Sequence, residues 1–182
     1  MGVKYEYIDL DEEGTSAKKL EEKKVDIMHI SPSHHFPTGM VMPISKRYEL
    51  LGWVTRKKER YIIEDDYDSE LRLAGKPIPS LQSIDVSGKV IYINTFAKTL
   101  CSTVRISYMV LPEALAEKYY RELSFYSCTV SNFEQYTLAA FMNAGAFEKH
   151  INRLRNYYQH KRDLILSTFL REPLGKYITI SE

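Results

Sequence analysis

Two short apolar runs, each followed by a residue with a reactive side chain, constrain the fold of this chain more than any other feature. The runs are RYIIED at 60–65 and KVIYIN at 89–94, and both are rich in β-branched and aromatic residues. This composition predicts two buried strands. Asp65 closes the first run, and Lys98 lies four residues beyond the second. Because open α/β sheets bind ligands at the carboxyl ends of their strands, we expect both side chains at one edge of a sheet.

The sequence around these runs alternates strand and helix patterns. Further strands are predicted at 3–10 and 25–32, and a helix capped by Ser45 leads into the strand at 60–65. From Pro112 onward the pattern is helical. This alternation of strands and helices predicts an α/β fold with βαβ units and parallel strands.

The last two predicted strands, at 89–94 and 105–110, are joined by only ten residues. A parallel crossover needs about a dozen or more, so these two strands are predicted to be antiparallel neighbours. Lys98 lies in the connection between them. The sheet is therefore expected to be mostly parallel with one antiparallel strand.

Length and composition favour an ordinary globular domain without a strongly charged surface. The chain has 182 residues, of which 44% are hydrophobic, and a net charge of +1 at pH 7. No overall field favours nucleic acid or a membrane. Cys101 and Cys128 lack the paired spacing of a zinc site, and no run of about 18 apolar residues or signal peptide is present. These features predict a cytoplasmic protein with no metal site and no membrane association.

The chemistry of Lys98 and Asp65 points to one kind of cofactor. A lysine amine can form a Schiff base with an aldehyde, and a carboxylate facing a pyridine nitrogen keeps that ring protonated as an electron sink. Together these two side chains look like part of a pyridoxal 5'-phosphate site. The pair therefore predicts that cofactor.

Four motifs, in this order, carry a resemblance to a known family: PSHHFPTG at 32–39, IIEDDYDSE at 62–70, TFAKT at 95–99 and VRISYMVLP at 104–112. Together they resemble the aminotransferase-like domain of MocR-type regulators of the GntR family. That domain belongs to the class I and II aminotransferases, the fold type I superfamily of pyridoxal phosphate enzymes. The similarity covers nearly the whole chain.

The resemblance implies a three-layer α/β/α architecture that is part of the large domain of a pyridoxal phosphate-dependent transferase. Residues 1–172 would form this partial large domain, and 173–182 would begin a truncated small domain with a strand at 176–182. The family's glycine-containing phosphate loop, the aromatic residue stacked on the cofactor and the arginine for the substrate carboxylate are expected outside this chain. So is the winged helix-turn-helix of the regulators.

The resemblance also assigns roles to five residues. Lys98 would be the lysine of the internal aldimine, and Asp65 the partner of the pyridinium nitrogen. Tyr67 would hydrogen-bond the phenolic oxygen of the cofactor. Arg105 matches the arginine that binds the phosphate, and the hydroxyl of Thr95 would donate to the same group. A planar, permanently charged guanidinium suits a phosphate dianion.

Two positions depart from the family pattern. Ala97 precedes the lysine where serine is common, so one phosphate donor is lost. Phe36 stands where related aminotransferases carry an asparagine before Pro-Thr-Gly, and its side chain cannot hydrogen-bond the cofactor. Neighbouring His35 is a candidate substitute.

The function implied by the resemblance is that of an effector sensor. The chain would bind pyridoxal phosphate as part of a MocR-type regulator and sense an amino compound through an aldimine. One alternative is part of a class I or II aminotransferase that transfers amino groups, and another is an inactive fragment. The expected partners are an amino-acid-like small molecule and a second copy in a homodimer. DNA would be bound only through an N-terminal domain outside this chain, and the isolated chain is expected to be catalytically inactive.

Each candidate residue also has an ordinary structural explanation. Lys98 would then be a surface lysine, Asp65 a turn cap, Tyr67 a packing residue and Arg105 one member of an ion pair at a strand end. The aspartates that flank the tyrosine, at 66 and 68, would be solvated loop carboxylates.

Overall fold

A computed structural model describes residues 2–11, 13–72, 78–171 and 175–177. Its strands are β1 (Ile27–Ile30), β2 (Tyr61–Asp65), β3 (Val90–Thr95) and β4 (Ser107–Val110). Its α-helices are α1 (Ala17–Lys23), α2 (Ile44–Val54), α3 (Leu81–Ile84), α4 (Glu113–Leu123), α5 (Asn132–Asn143) and α6 (Ala146–Phe169). Short 3-10 turns occur at Ser69–Leu71 and Gly175–Tyr177.

The strands form one mixed sheet in the order β1-β2-β3-β4. β1 pairs with β2 and β2 pairs with β3 in parallel, whereas β3 and β4 are antiparallel. Helix α2 connects β1 to β2, and the short connection 96–106 reverses the chain between β3 and β4. The α/β class and the mostly parallel sheet with one antiparallel strand are therefore confirmed.

The hydrophobic core lies between one face of the sheet and helices α1, α2 and α3. Met28, Ile62 and Val90 occupy one row across the three parallel strands, because Met28 pairs with Ile62 and Ile62 with Val90. These side chains pack with the buried residues of the helices, which include Leu20, Leu50, Leu51, Trp53, Val54 and Leu81. Alternation along each strand sends the neighbouring residues to the other face.

The predicted strand at 3–10 does not form, and that expectation is wrong. Residues 2–11 contain no strand, and the side chains of Val3, Tyr5 and Tyr7 are more than three-quarters exposed. Polar contacts tie this segment to α1 instead, since Lys23 Nζ lies 3.1 Å from Glu6 Oε2. Alternating apolar residues fit a strand, but a strand also needs a neighbouring backbone to complete its hydrogen bonds.

The chain separates into two compact units. One comprises Met1–Ser69 with Lys76–Ser131, and the other comprises Glu70–Gly75 with Asn132–Glu182. The second unit contains α5 and α6, where Ile151 is buried and Arg155 Nε donates to the carbonyl of Glu70 at 2.6 Å. The predicted small-domain strand at 176–182 lies almost entirely outside the described residues, so the boundary at 172 stays a prediction.

Arg60, the residue before β2, is fully buried and holds α1 and α2 together. Its guanidinium makes two 2.7 Å hydrogen bonds to the Glu21 carboxylate, one to each oxygen. It also donates to the Trp53 carbonyl at 3.0 Å and lies 4.5 Å from the centre of the indole ring. The hydrogen bonds from Arg60 hold the pKa of Glu21 below its usual value.

We expect Arg60→Lys to lower the free energy of unfolding by about 1–3 kcal/mol, because an ammonium cannot reproduce the two-pronged contact or stack flat on the indole. Urea denaturation of the isolated chain measures this loss. Arg56→Lys is the matched control, since Arg56 approaches the same Glu21 at 3.6 Å but its side chain is 62% exposed. Equal losses from the two variants would contradict the assigned role of Arg60.

Candidate active site

The candidate residues lie along one edge of the sheet, where β2 and β3 end. Asp65 is the last residue of β2 and Thr95 the last residue of β3. Asp65 pairs with Ile93, so strand alternation puts Thr95 on the same face of the sheet as Asp65. Lys98 follows in the connection to β4, and Arg105 lies two residues before β4. We call this region, from Asp65 to the β3–β4 connection, the carboxyl edge.

Asp65 is a partly exposed carboxylate with a histidine beside it. Its Oδ2 lies 3.4 Å from Nε2 of His29, and the two side chains are 36% and 61% exposed. His29 pairs with Ile63 across β1 and β2, which puts it on the same sheet face as Asp65. His29 lies outside the four sequence motifs, so the sequence did not predict this contact.

Tyr67 links two of the sequence motifs at the carboxyl edge. Its hydroxyl donates a 2.7 Å hydrogen bond to the carbonyl of His34, in the loop that contains Pro-Thr-Gly. Asp68 Oδ1 lies 2.8 Å from His34 Nδ1, so the two loops are joined twice. Burial raises the pKa of Tyr67, and the charges of Asp68 and Asp65 raise it further. The hydroxyl therefore stays protonated near neutral pH and acts as a donor.

The residues of the β3–β4 connection differ in how firmly they are held. Lys98 and Arg105 are exposed. The Thr95 hydroxyl donates to the carbonyl of Ile106 at 3.3 Å and accepts from the amide of Ala97 at 3.3 Å. To donate to a phosphate, Thr95 would have to exchange the Ile106 carbonyl for a phosphate oxygen.

The opposite face of the same edge carries a buried polar network. The Tyr92 hydroxyl donates to Oδ2 of Asp66 at 2.8 Å and accepts from Nδ2 of Asn94 at 3.0 Å. Asp66 and Asn94 are only 3% and 2% exposed. The alternative reading of Asp66 as a solvated loop carboxylate is therefore wrong. Burial, followed by the bond to Asp66, raises the pKa of Tyr92 strongly, so its hydroxyl stays protonated.

A second buried network lies beneath this face and joins Glu64 to Arg47. The Glu64 carboxylate accepts 2.9 Å hydrogen bonds from the amides of Leu81 and Gln82 at the start of α3. Arg47 Nη1 lies 3.8 Å from Glu64 Oε1, and both side chains are at most 1% exposed. Burial raises the pKa of Glu64, although the two amides and Arg47 oppose the shift. The sequence could have indicated this burial, because Glu64 lies two residues after Ile62 and therefore points to the same face of β2.

A metal-binding cluster and a membrane-crossing helix each have their own geometric requirements. Within residues 2–11, 13–72, 78–171 and 175–177, no three His, Cys, Asp or Glu side chains are grouped so that they could hold a metal ion. No helix in those ranges has both the length and the apolar character needed to cross a membrane.

Comparison with known proteins identifies similar domains. No protein-family model matches the chain. It is 43% identical over 173 residues to the uncharacterized HTH-type transcriptional regulator YdeL of Bacillus subtilis, covering 95% of this chain and 37% of that protein. It is 34% identical over 181 residues to the probable rhizopine catabolism regulatory protein MocR of Rhizobium meliloti, covering 100% and 36%.

Solved structures agree with these relatives. Kynurenine aminotransferase from Pyrococcus horikoshii superimposes with a TM-score of 0.77 at 32% identity, over 90% of this chain and 43% of that one. The chain thus spans little more than a third of the length of the curated regulators that it matches. It corresponds to part of the aminotransferase-like domain that MocR-type helix-turn-helix regulators of the GntR family share with class I aminotransferases.

Proposed function

We propose that this chain is the pyridoxal phosphate-binding part of a MocR-type regulator, in which the cofactor senses an amino compound. The observation that carries the proposal is the common location of Asp65, Thr95 and Lys98 at the carboxyl edge. Edges of this kind are where α/β sheets bind ligands. Support also comes from relatives, since the kynurenine aminotransferase structure contains PMP.

The donor set at the carboxyl edge fits pyridoxal phosphate. The cofactor has an aldehyde, a pyridine nitrogen, a phenolic oxygen and a phosphate. Lys98 offers an amine, Asp65 a carboxylate and Arg105 an exposed guanidinium. The Tyr67 hydroxyl is protonated and would have to exchange the His34 carbonyl for the phenolic oxygen. Each functional group of the cofactor therefore has a residue of matching chemistry.

The residues of this chain would act mainly by binding and orienting. When bound, pyridoxal phosphate supplies an aldehyde that reacts reversibly with primary amines and a ring that accepts electrons. Asp65 would hold a proton on the ring nitrogen, and Arg105 would anchor the phosphate. Lys98 would hold the cofactor through its amine at the aldehyde carbon, and a free Lys98 amine would be able to accept a proton.

A sensor needs a response as well as a ligand. Exchange of Lys98 for an external amine would change which groups contact the carboxyl edge, and only such a differential contact can shift a conformational equilibrium. The readout would be DNA affinity of a helix-turn-helix domain, in a cytoplasmic homodimer. The relatives that support this proposal are named as HTH-type regulators.

A second candidate is an aminotransferase, favoured by the 32% identity to kynurenine aminotransferase. In that case Lys98 would shuttle a proton during turnover instead of serving only as the sensing amine. The two functions differ in a measurable way. Amino-group transfer to a keto acid in a coupled assay with the complete protein indicates the enzyme, whereas amine binding that changes operator affinity in a gel shift indicates the regulator.

The assignment of Asp65 can be tested with a neighbouring aspartate as the control. We expect Asp65→Asn to leave the cofactor attached to Lys98 but to lower the protonation of its ring nitrogen, because a neutral amide does not stabilise a pyridinium. The measurement is a pH titration of the cofactor absorbance. Asp66→Asn retains an acceptor for Tyr92 on the opposite face and should leave the titration unchanged. An equal shift in both variants would rule out Asp65 as the specific partner.

A further inference from the structure

We propose that Tyr92 is a positioning residue whose hydroxyl joins the ends of β2 and β3, the two strand ends that carry Asp65 and Thr95. The inference rests on the proposed function for its consequence at the cofactor, but the contacts of Tyr92 stand independently. None of the motifs in the sequence pointed to this residue.

The contacts of Tyr92 span the two strands. From β3, its hydroxyl donates to Asp66 Oδ2 at 2.8 Å, just beyond the end of β2. The same oxygen accepts from Asn94 Nδ2 at 3.0 Å, within β3. Asn94 Oδ1 in turn accepts from the backbone amide of Thr95 at 2.5 Å. One hydroxyl thus connects the residue after Asp65 to the backbone of Thr95.

The carboxylate of Asp66 depends on this hydroxyl. Asp66 is 3% exposed, and among the described residues its Oδ1 has no hydrogen-bond partner. The Tyr92 hydroxyl is the side-chain donor to its other oxygen. A buried carboxylate that loses its donor is costly, so the strand end should rearrange when the hydroxyl is removed.

The position of the network explains how it can act without touching a cofactor. Asp66 follows Asp65, and Asn94 precedes Thr95. Because side chains alternate along a strand, Asp66 and Asn94 point to the opposite face of the sheet. The network therefore fixes the backbone position of Asp65 and Thr95 through contacts on the opposite face of the sheet. Its charged and titratable neighbours are Glu64, which interacts electrostatically with Asp66, and Tyr108, whose ring centre is 6.2 Å from that of Tyr92.

The test is Tyr92→Phe in the 182-residue chain, with two measurements. Without ligand, hydrogen exchange of the Asp66 and Thr95 amides should become about tenfold faster, because the side chains of Asp66 and Asn94 lose the hydroxyl that joins them and the two strand ends should open more often. With pyridoxal phosphate, the fraction of Lys98 trapped by borohydride should fall several-fold at a subsaturating concentration. Tyr61→Phe, on the other face of β2, is the matched control and should change neither quantity.

A conservative variant separates positioning from general damage. Asp66→Asn keeps an oxygen that accepts from Tyr92 and should resemble wild type in both measurements, whereas Asp66→Ala should resemble Tyr92→Phe. Unchanged exchange in Tyr92→Phe would overturn the network itself. Faster exchange with undiminished trapping would overturn its role at the cofactor. Absence of trapping at Lys98 in the wild type would refute the proposed function, and the exchange measurement would still decide the network.

Discussion

Lys98→Ala should abolish the borohydride-trapped adduct that pyridoxal phosphate forms at the β3–β4 connection. Lys98 is exposed in a connection that begins beside the end of β2, where Asp65 lies. Under the proposed function, Asp65 and Arg105 would hold the cofactor with its aldehyde at Lys98, which would favour this lysine over other exposed lysines. At low cofactor concentration we therefore expect the adduct to concentrate on Lys98 and to disappear in the variant.

Peptide mapping after reduction measures this outcome directly. Lys118→Ala is the matched control, because Lys118 is also exposed but belongs to helix α4, which follows β4 and is not part of the carboxyl edge. The control should retain the wild-type adduct. Binding to the isolated chain should be weak, since it spans only 36–37% of its regulator relatives. An adduct spread evenly over surface lysines, or one that survives Lys98→Ala, would refute the site.

Arg47→Met should lower the free energy of unfolding by about 3–5 kcal/mol, the usual cost of leaving one member of a buried ion pair without its partner. Arg47 is 1% exposed, and its guanidinium donates to the carbonyls of Met42, Pro79 and Pro32 at 3.2, 2.9 and 2.9 Å. The same group lies 3.8 Å from the buried Glu64 carboxylate. The substitution removes both roles at once.

Chemical denaturation of the isolated chain measures the effect of Arg47→Met. Arg56→Met serves as the control, because the side chain of Arg56 is 62% exposed and its ion pair with Glu21 is screened by water. The control should lose at most about 0.5 kcal/mol. Adding Glu64→Gln to Arg47→Met should recover part of the loss, because the side-chain amide keeps an acceptor oxygen for the start of α3 and the uncompensated charge is then absent. A loss below 1 kcal/mol for Arg47→Met would show that solvent reaches the pair.

Local patterns in the sequence were sufficient for the fold class and for the direction of the strands. The short connection between β3 and β4 cannot accommodate a parallel crossover, and the structure has the predicted antiparallel pair. The periodicity at 60–65 and 89–94 similarly located β2 and β3 within a residue at each end. These features depend on neighbours along the chain, which is why one sequence is enough to predict them.

Contacts between distant segments were not accessible in the same way. The segment 3–10 alternates like a strand, yet residues 2–11 form none, because pairing depends on the edge of another strand. Asp65 and Asp66 are adjacent and chemically identical, but the first is partly exposed beside His29 and the second is buried against Tyr92. The two aspartates differ only in which face of the sheet their side chains point to. Which face is buried depends on where the helices pack, and this is a tertiary contact.

The sequence by itself determined the candidate site residues of this protein: a lysine after one strand, an aspartate at the end of another, and motifs that resemble a pyridoxal phosphate domain. Only the tertiary structure decided which polar residues are held in the interior. Tyr92 of β3 meets Asp66 just after β2, and Arg47 of α2 meets Glu64 of β2. Burial and hydrogen bonding depend on contacts between residues that are distant in the sequence. Side-chain type and local periodicity can be read directly from the sequence.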